Sequence, residues 1–382
     1  MKKLLFVIVC VTCFFAIGID VQEYPEVVED EDNFSIVIPY IEYEWAYDDD
    51  EDEDEDDTRA VSMELRASKD SNELNFTVVD STLLDVDVDT PAAIEGEGAC
   101  SSTTSAQLLS CRADVRNSYF ELQANCFNYS DPEDQQECFE EAEEERTGGF
   151  EECGDIEEAH ENLCSIFGEG AYDPDMEDIA FLTVAEIATS PNPFLPLIPG
   201  NRWVYEGEDE IITVTVLDET KEILGIEAIV VQDVAEEEGE VVEDTFDWYA
   251  QDEDGNVWYM GELSRNFEDS ELADIEGSWE AGVDGAKAGI LFRATPVVGE
   301  TLRQEYRIGE AEDIGHTLAI DATESTDAGF SCSDNCMQSL EYTPLEPDEE
   351  EHKFYLPGTG LMLEVELESG NRVELVDFTS GG

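Results

Sequence analysis

The sequence predicts an α+β protein in which a disulfide-stapled helical hairpin precedes a large, mainly antiparallel β-sheet domain. Three observations support this fold class. Six cysteines with palindromic spacing lie in helix-forming sequence, short alternating strands fill the chain after Asn192, and strands and helices do not alternate there. The segments that we expect are a signal peptide at 1–18, an acidic, largely flexible region with short strands at 19–98, the cysteine-rich hairpin at 99–170, a linker at 171–191 and the β domain at 192–378.

The first residues are typical of a secretory signal peptide. Lys2 and Lys3 precede an unbroken apolar run from Leu4 to Ile17, and we place the cleavage near Gly18. The alternative is a membrane anchor, but the run has 14 residues, whereas a span needs roughly 20. We therefore expect a secreted, periplasmic or cell-surface protein with no transmembrane segment after cleavage, and an oxidising environment for its cysteines.

Acidic residues dominate the composition of the whole chain. Asp and Glu number 98 against 17 Lys and Arg, which gives a formal net charge of −81. Molar salt shortens the Debye length to about 3 Å and so screens most of the repulsion among these charges. The composition indicates adaptation to high salt, with counter-ions in quantity as partners. It excludes nucleic-acid binding, which needs clustered Lys and Arg.

The densest run of charge is ten consecutive carboxylates from Asp48 to Asp57. Like charges in a row repel one another, stay extended and hydrated, and usually form a linker or tail. We expect weak condensation of cations along this run and no defined site, because a single flexible segment does not preorganise ligands.

Eight cysteines remain once Cys10 and Cys13 of the signal are set aside. The first six are separated by 11, 15, 12, 15 and 11 residues, which reads the same in both directions. Two antiparallel helical arms around a bend at Asp131 and Pro132 would bring them together as nested pairs, although other connectivities stay open. The nested pairs are Cys100–Cys164, Cys111–Cys153 and Cys126–Cys138.

A structural zinc site is the alternative for these cysteines, but it usually needs closely spaced cysteine pairs, which this segment lacks. We also expect Gly148 and Gly149 to break or kink the second arm. The last two cysteines, Cys332 and Cys336 in "CSDNC", are predicted to close a small disulfide loop. A zinc site there would need further ligands, for which the candidates are His316 and His352.

Two acidic groups are candidate calcium ligands. "DVDVDT" places Asp85, Asp87 and Asp89 on one face of a predicted strand, and "DEDGN" places Asp252 and Asp254 in a predicted hairpin turn. Neither matches the spacing of an EF-hand loop. The alternatives are a solvated strand face and an ordinary Asp-Gly turn, and Ca²⁺ is the one cofactor that we consider.

The C-terminal half is rich in short apolar or alternating runs such as "IITVTVLD", with Gly, Asp and Asn between them. Its blocks "NPFLPLIPGNRWVYEG" and "EHKFYLPGTGLMLEVEL" resemble paired signatures of uncharacterised secreted bacterial proteins, over about residues 192–378. The resemblance implies a single open antiparallel β domain, with a curved sheet like those of lipoprotein-carrier proteins, and no known activity. In these blocks we interpret four tryptophans as core residues: Trp203, Trp248, Trp258 and Trp279.

The sequence contains no recognisable catalytic signature. It has three histidines, no serine-centred elbow and no Gly-rich phosphate loop, so we expect no enzymatic activity. We predict a secreted binding or structural module of the cell envelope or the extracellular space, whose β domain holds an apolar ligand or a partner protein. The alternative is an extracellular calcium-binding or matrix protein that uses its carboxylate clusters.

Overall fold

The computed structural model describes residues 94–381 apart from positions 209 and 269, and the backbone of four strands between residues 26 and 81. The predicted signal peptide, the ten-acid run and the calcium candidates Asp85, Asp87 and Asp89 lie outside the described residues. The chain divides after residue 93 into two compact units.

The first unit contains one antiparallel sheet with the strand order β1-β2-β3-β4. Its strands are β1 (Glu26–Glu29), β2 (Asn33–Tyr43), β3 (Arg59–Ser68) and β4 (Phe76–Ser81).

The second unit begins with the predicted helical hairpin. Helix α1 (Ala99–Cys126) and helix α2 (Pro132–Phe167) are joined by a short bend. The bend residue Asp131 caps α2, because its Oδ1 accepts a hydrogen bond of 2.9 Å from the Glu133 N–H, and Pro132 occupies the first helical position. Helix α2 continues through Gly148 and Gly149, so the predicted break at these residues was wrong.

Three disulfides connect the two helices in the nested order. Their Cα–Cα separations of 5.5–5.8 Å are those of ordinary disulfides. We call them the outer, middle and inner rungs: Cys100–Cys164, Cys111–Cys153 and Cys126–Cys138. Few other hairpin side chains are buried, so covalent bonds supply much of what holds α1 against α2.

A sixteen-stranded antiparallel sheet follows the hairpin and a short helix, α3 (Val184–Ile187). Its main path has the order β14-β16-β17-β18-β19-β20-β5-β6-β7-β8-β9-β13-β15, and β10, β11 and β12 pair beside it. The strands are β5 (Arg202–Glu206), β6 (Glu210–Ile223), β7 (Ile226–Glu237), β8 (Glu240–Gln251), β9 (Val257–Leu263), β10 (Asn266–Glu268), β11 (Glu271–Asp274), β12 (Trp279–Glu280), β13 (Lys287–Phe292), β14 (Thr301–Arg303), β15 (Glu305–Tyr306), β16 (Ile314–Ser325), β17 (Ser331–Thr343), β18 (Glu346–Leu356), β19 (Gly360–Glu366) and β20 (Arg372–Thr379).

The chain itself joins the two edges of this sheet. Strands β14 and β15 end the path on opposite sides, yet a single buried residue, Gln304, separates them in sequence. A Cβ on Gly289 of β13 would collide with the Gln304 carbonyl, so a glycine is needed where the edges meet. The sheet is therefore nearly closed into a barrel, in contrast to the open sheet that the resemblance implies.

One apolar cluster fills one half of the barrel interior, and a second, which contains Trp248 and Trp258, lies on the opposite face of the sheet. The rings of Phe292 on β13 and Tyr355 on β18 lie 4.8 Å apart, although many strands separate them along the sheet, so they meet across the interior. Helix α3 and the segment after it also contribute to this core through Ile187 and Leu197, both fully buried. The four tryptophans predicted as core are at most 8 % exposed, which confirms that interpretation.

In the described part of the chain, no helix combines the length and apolar character that crossing a membrane requires.

Candidate functional site

Acidic side chains occupy the other half of the barrel interior. Asp233 lies beside Val214, and Asp247 lies beside Val231, in the register of the sheet, and both valines face the interior. Lys353 of β18 pairs with Glu364 of β19 on the same face. The carboxyl groups in this half of the interior, which we call the acidic interior, are Glu210, Asp233, Asp247, Glu262, Glu305, Asp313, Glu341, Glu351 and Glu364.

Burial and mutual repulsion disfavour the charged forms of four of these acids, Asp233, Asp247, Glu262 and Glu305. Loss of hydration, followed by repulsion from neighbouring carboxylates, raises the pKa of Asp233 to about 7. The same causes raise the pKa of Asp247 and of Glu262, which share the Tyr259 hydroxyl as a hydrogen-bond donor. The pKa of Glu305 is also well above its usual value, mainly through burial. Folding thus brings together carboxyl groups that retain protons near neutral pH.

Lys353 balances part of this charge. Its Nζ lies 3.1 Å from Glu351, 3.2 Å from Glu364 and 3.6 Å from Glu341. Burial alone would lower the pKa of the amine, but the three carboxylates outweigh it and raise the pKa well above its usual value. Lys353 is therefore a fixed positive charge within the acidic interior.

A separate cavity of about 810 Å³ lies between the helical hairpin and the barrel. We call it the hairpin cavity. Helix α1 forms the longest wall, α2 the facing wall, and the turns that contain Ile308 and Leu345 close the end at the barrel. Its apolar side chains are Ala106, Val115, Leu122, Ile156, Ile308 and Leu345.

Helical periodicity explains the α1 wall. Residues 103, 107, 110, 114 and 118 recur every three or four positions, so one face of the helix lines the cavity. On α2, a Cβ at Gly149 would lie 2.9 Å from Val115 Cγ2. Gly149 therefore allows the two helices to approach closely beside the cavity, which is a packing role that helix propensity does not reveal.

A buried polar contact attaches the hairpin to the barrel beside this cavity. The Gln107 amide nitrogen donates a hydrogen bond of 2.6 Å to Glu312 Oε1, and His160 Nε2 lies 3.1 Å from Glu312 Oε2. The Gly309 N–H also donates to Glu312 Oε1, at 2.8 Å. The buried Oε1 of Gln107, which is one of the cavity-lining residues, has no hydrogen-bond partner among the described residues.

The remaining charge around the hairpin cavity is mainly negative. Asp114, Glu145 and Glu152 line it. Arg146 lines it too, but its guanidinium is 3.0 Å from Glu143 on the same helix and lies over the Tyr119 ring. The cavity thus combines apolar walls with carboxylates.

Asp252 and Asp254, the calcium candidates that the structure describes, lie in the turn between β8 and β9 as expected. Asp252 is buried, and its carboxylate accepts hydrogen bonds from the Asn256 backbone, the Asn256 side chain and the Trp258 indole at 2.8–2.9 Å. Asp254 is exposed. Among the described residues no group of three acids, histidines or cysteines is arranged to hold a metal ion, and calcium binding at this turn stays a prediction.

The remaining residues that the sequence singled out are two cysteines and two histidines of the β domain. Cys332 and Cys336 form a disulfide with a Cα–Cα separation of 5.7 Å. His316 lies on β16 with its Nδ1 2.8 Å from the Thr301 hydroxyl, and His352 lies on β18.

Sequence reasoning missed Gln107, Glu312 and Lys353. Gln107 and Glu312 are 205 positions apart, and nothing in their local sequence marks them. The sequence did offer one signal for Lys353. It is one of only 17 basic residues, and it lies in the strand-forming block "EHKFYLPGTGLMLEVEL".

No family model matches the sequence, and no curated protein matches it. One similar solved structure is described as a "putative lipoprotein" from Parabacteroides distasonis. It is 14 % identical, with a TM-score of 0.27, and the match covers 49 % of this chain and 99 % of that chain. We draw no conclusion about function from a likeness at this level.

Proposed function

We propose that the protein is a secreted, salt-adapted binding protein without enzymatic activity, and that its hairpin cavity holds an apolar chain. The observation that carries this proposal is the cavity itself. Its volume of about 810 Å³ falls within the range of roughly 300–1,000 Å³ that small-molecule sites occupy. Ile308, at its barrel end, is 46 % exposed, so a ligand there would cover apolar surface.

The barrel core offers less room for such a ligand. In the apolar half of its interior, tightly packed side chains such as Trp203 and Leu375 are at most 2 % exposed. The acidic interior is unfavourable for a hydrocarbon because its carboxyl groups would lose their remaining water. An apolar ligand therefore fits better between the hairpin and the barrel than inside the barrel.

Features of the chain other than the cavity support the proposals of secretion and of adaptation to high salt. The apolar N-terminal run and four disulfides are typical of a protein that folds in an oxidising compartment. The formal charge of −81 supports a function in concentrated salt.

Titration with a neutral, environment-sensitive naphthylamine dye in molar sodium chloride tests the proposal. We expect saturable binding to one site. Ala106→Phe places a ring in the cavity, and we expect it to weaken dye binding roughly tenfold or more. Ala113→Phe is the matched control, since Ala113 is exposed on the same helix and does not line the cavity. Dye binding that is absent, or equal in both variants, would refute the proposal.

A second candidate function is the binding of calcium by the acidic interior. Its carboxyl groups repel one another, but no three of the described acids are arranged to hold a metal ion, so calcium would have to draw them together. Calorimetry with calcium chloride in molar sodium chloride tests it. Stoichiometric binding that Glu262→Gln weakens would support it, and the absence of a binding heat would remove it.

A further inference from the structure

We propose that one proton, held between His160 of α2 and Glu312 of the barrel, fastens the hairpin to the barrel, so that this attachment weakens as the pH rises through about 6 to 8. The proton and the attachment do not depend on a ligand. Their effect on ligand binding rests on the proposed function, since Gln107 and Gly309, which also contact Glu312, line the hairpin cavity.

One nitrogen of the His160 ring carries a hydrogen. His160 Nδ1 lies 2.8 Å from the carbonyl oxygen of Ile156, one turn earlier in α2. A backbone carbonyl oxygen accepts hydrogen bonds and cannot donate them, so Nδ1 is the donor. In a neutral ring, the other nitrogen, Nε2, is then an acceptor without a hydrogen of its own.

This second nitrogen faces a buried carboxylate. His160 Nε2 lies 3.1 Å from Glu312 Oε2, and the two side chains are only 7 % and 2 % exposed. A neutral ring would direct a lone pair at a carboxylate oxygen, and two buried acceptors at this distance repel each other. A proton between the two atoms converts the same geometry into a charge-assisted hydrogen bond. Because imidazole is a stronger base than a carboxylate, the proton resides on His160 and the contact is a buried ion pair.

Gln107 does not remove the need for this proton. Its amide nitrogen lies 3.2 Å from His160 Nε2 and could donate to a neutral ring, but it already donates to Glu312 Oε1 at 2.6 Å. Glu312 Oε1 also accepts from the Gly309 N–H, whereas Oε2 has His160 as its one hydrogen-bonding partner among the described residues. Without a proton on Nε2, Oε2 would be a buried charged oxygen that lacks a donor, which is destabilising.

The charged groups of α2 and β18 around the contact are mainly acidic. Glu157 lies one turn before His160 on α2, and Glu161 directly follows it. Strand β18 contacts α2 and carries Glu350 and His352 on the face opposite the barrel interior. Nearby negative charge stabilises an imidazolium ion relative to a neutral ring, so these groups favour the proton.

The barrel turn and α1 do not supply a substitute for it. The residues of α1 from 103 to 111 carry no charge. Arg303 attracts Glu312 electrostatically, but its guanidinium lies over the Phe167 ring, 4.4 Å from the centroid. The turn that contains Glu312 has titratable groups of both signs, which are Tyr306, Arg307, Glu310 and Asp313. Among the described residues, none of these groups donates a hydrogen bond to Glu312 Oε2, so the proton on His160 is required.

Loss of the proton should open the barrel end of the hairpin cavity. At higher pH a lone pair faces an unpaired carboxylate oxygen, and separation lets water hydrate both groups. The disulfide rungs keep α1 and α2 together, and Phe167 at the end of α2 packs against Arg303, so we expect the hairpin to tilt from the barrel as a unit. A ligand would then lose its contact with Ile308 at that end.

NMR of protein that contains nitrogen-labelled histidine tests the proton directly. The chain has three histidines, and His160→Gln identifies the signal of His160. At about pH 6 in molar sodium chloride, which screens a buried pair little, we expect both ring nitrogens of His160 to carry hydrogens. Glu312→Gln should remove the hydrogen from Nε2 at the same pH, because the buried ring then has no carboxylate partner. A neutral His160 ring in the wild-type protein, or an imidazolium that persists in Glu312→Gln, would overturn the inference.

Hydrogen exchange, corrected for the intrinsic effect of pH, tests the attachment. We expect the protection of amides in α1 near Gln107 and in the turn at 307–313 to fall roughly tenfold or more between about pH 6 and 8.5. His160→Gln removes the titrating group and should flatten this dependence. His316→Gln is the matched control and should keep it, because His316 lies on β16 and contacts Thr301. Constant protection in the wild-type protein, or an equal fall in His160→Gln, would overturn the inference.

Dye titration at the same two pH values separates this inference from the proposed function. We expect several-fold weaker binding at the higher pH in the wild-type protein and in His316→Gln, and equal binding at both in His160→Gln. Dye binding that ignores pH while the protection falls would overturn the control of the cavity by this contact. Absence of dye binding, together with the expected proton and protection, would overturn the proposed function alone.

Discussion

Removing the middle rung by Cys111→Ala together with Cys153→Ala should destabilise the hairpin by an amount that its loops determine. The three rungs span 64, 42 and 12 residues, so the middle rung divides a loop of 52 residues into loops of 30 and 22. In the chain-entropy treatment of cross-links, this division is worth about 3 kcal/mol at room temperature. Because few hairpin side chains are buried, we expect little compensation from packing.

Urea unfolding in molar sodium chloride, followed by circular dichroism of the helices, measures this difference. The double variant should unfold at lower urea, with a loss of about 3 kcal/mol in the free energy of unfolding. Replacing Cys332 and Cys336 by alanine is the control, since this disulfide closes a loop of only 4 residues in the barrel and should leave the helical transition in place. A loss below about 0.5 kcal/mol in the middle-rung variant would refute the view that covalent bonds hold the hairpin together.

Three further predictions concern pH and buried polar contacts. Because the pKa values of Asp233 and Glu262 are raised on folding, the folded state binds more protons than the unfolded state between about pH 4 and 8. The Tm in low salt should therefore rise as the pH falls from about 8 to 5, and Glu262→Gln should flatten this dependence; a Tm that falls over that interval would contradict it. Glu312→Gln should cost about 1–3 kcal/mol and speed hydrogen exchange in α1 and α2, and unchanged exchange would count against the hairpin contact. Asp252→Asn should cost about 1–3 kcal/mol in thermal unfolding, because an amide group would then face three donors, whereas Glu253→Gln at the exposed neighbour should be neutral.

The hairpin could be predicted from the sequence because the signals for it, the cysteine intervals and the turn residues, are local and regularly spaced. Equal cysteine intervals on two arms place partners at equal distances from the bend at Asp131, and helix geometry converts those intervals into level rungs. The expected break at Gly148 and Gly149 failed for a physical reason. Helix propensity disfavours glycine, but Gly149 lies so close to Val115 that a side chain at this position would not fit.

The strands and turns of the β domain were also visible, because alternation and Gly-containing turns are local signals. The near closure of the sheet was not, since it depends on β14 and β15 pairing with strands at opposite ends of the path. The acidic interior could not be recognised among 98 acidic residues, because the register of non-adjacent strands decides which carboxyl groups face inward. The Gln107–Glu312 contact depends on tertiary docking in the same way.

Photo-crosslinking with an alkyl diazirine, followed by peptide mapping, tests most directly whether the hairpin cavity is a binding site. The account predicts labelling of α1 between residues 102 and 122 and of the turns at Ile308 and Leu345, and it predicts that Ala106→Phe strongly reduces this labelling. Labelling confined to the barrel strands, or labelling of α1 that is undiminished in Ala106→Phe, would contradict it.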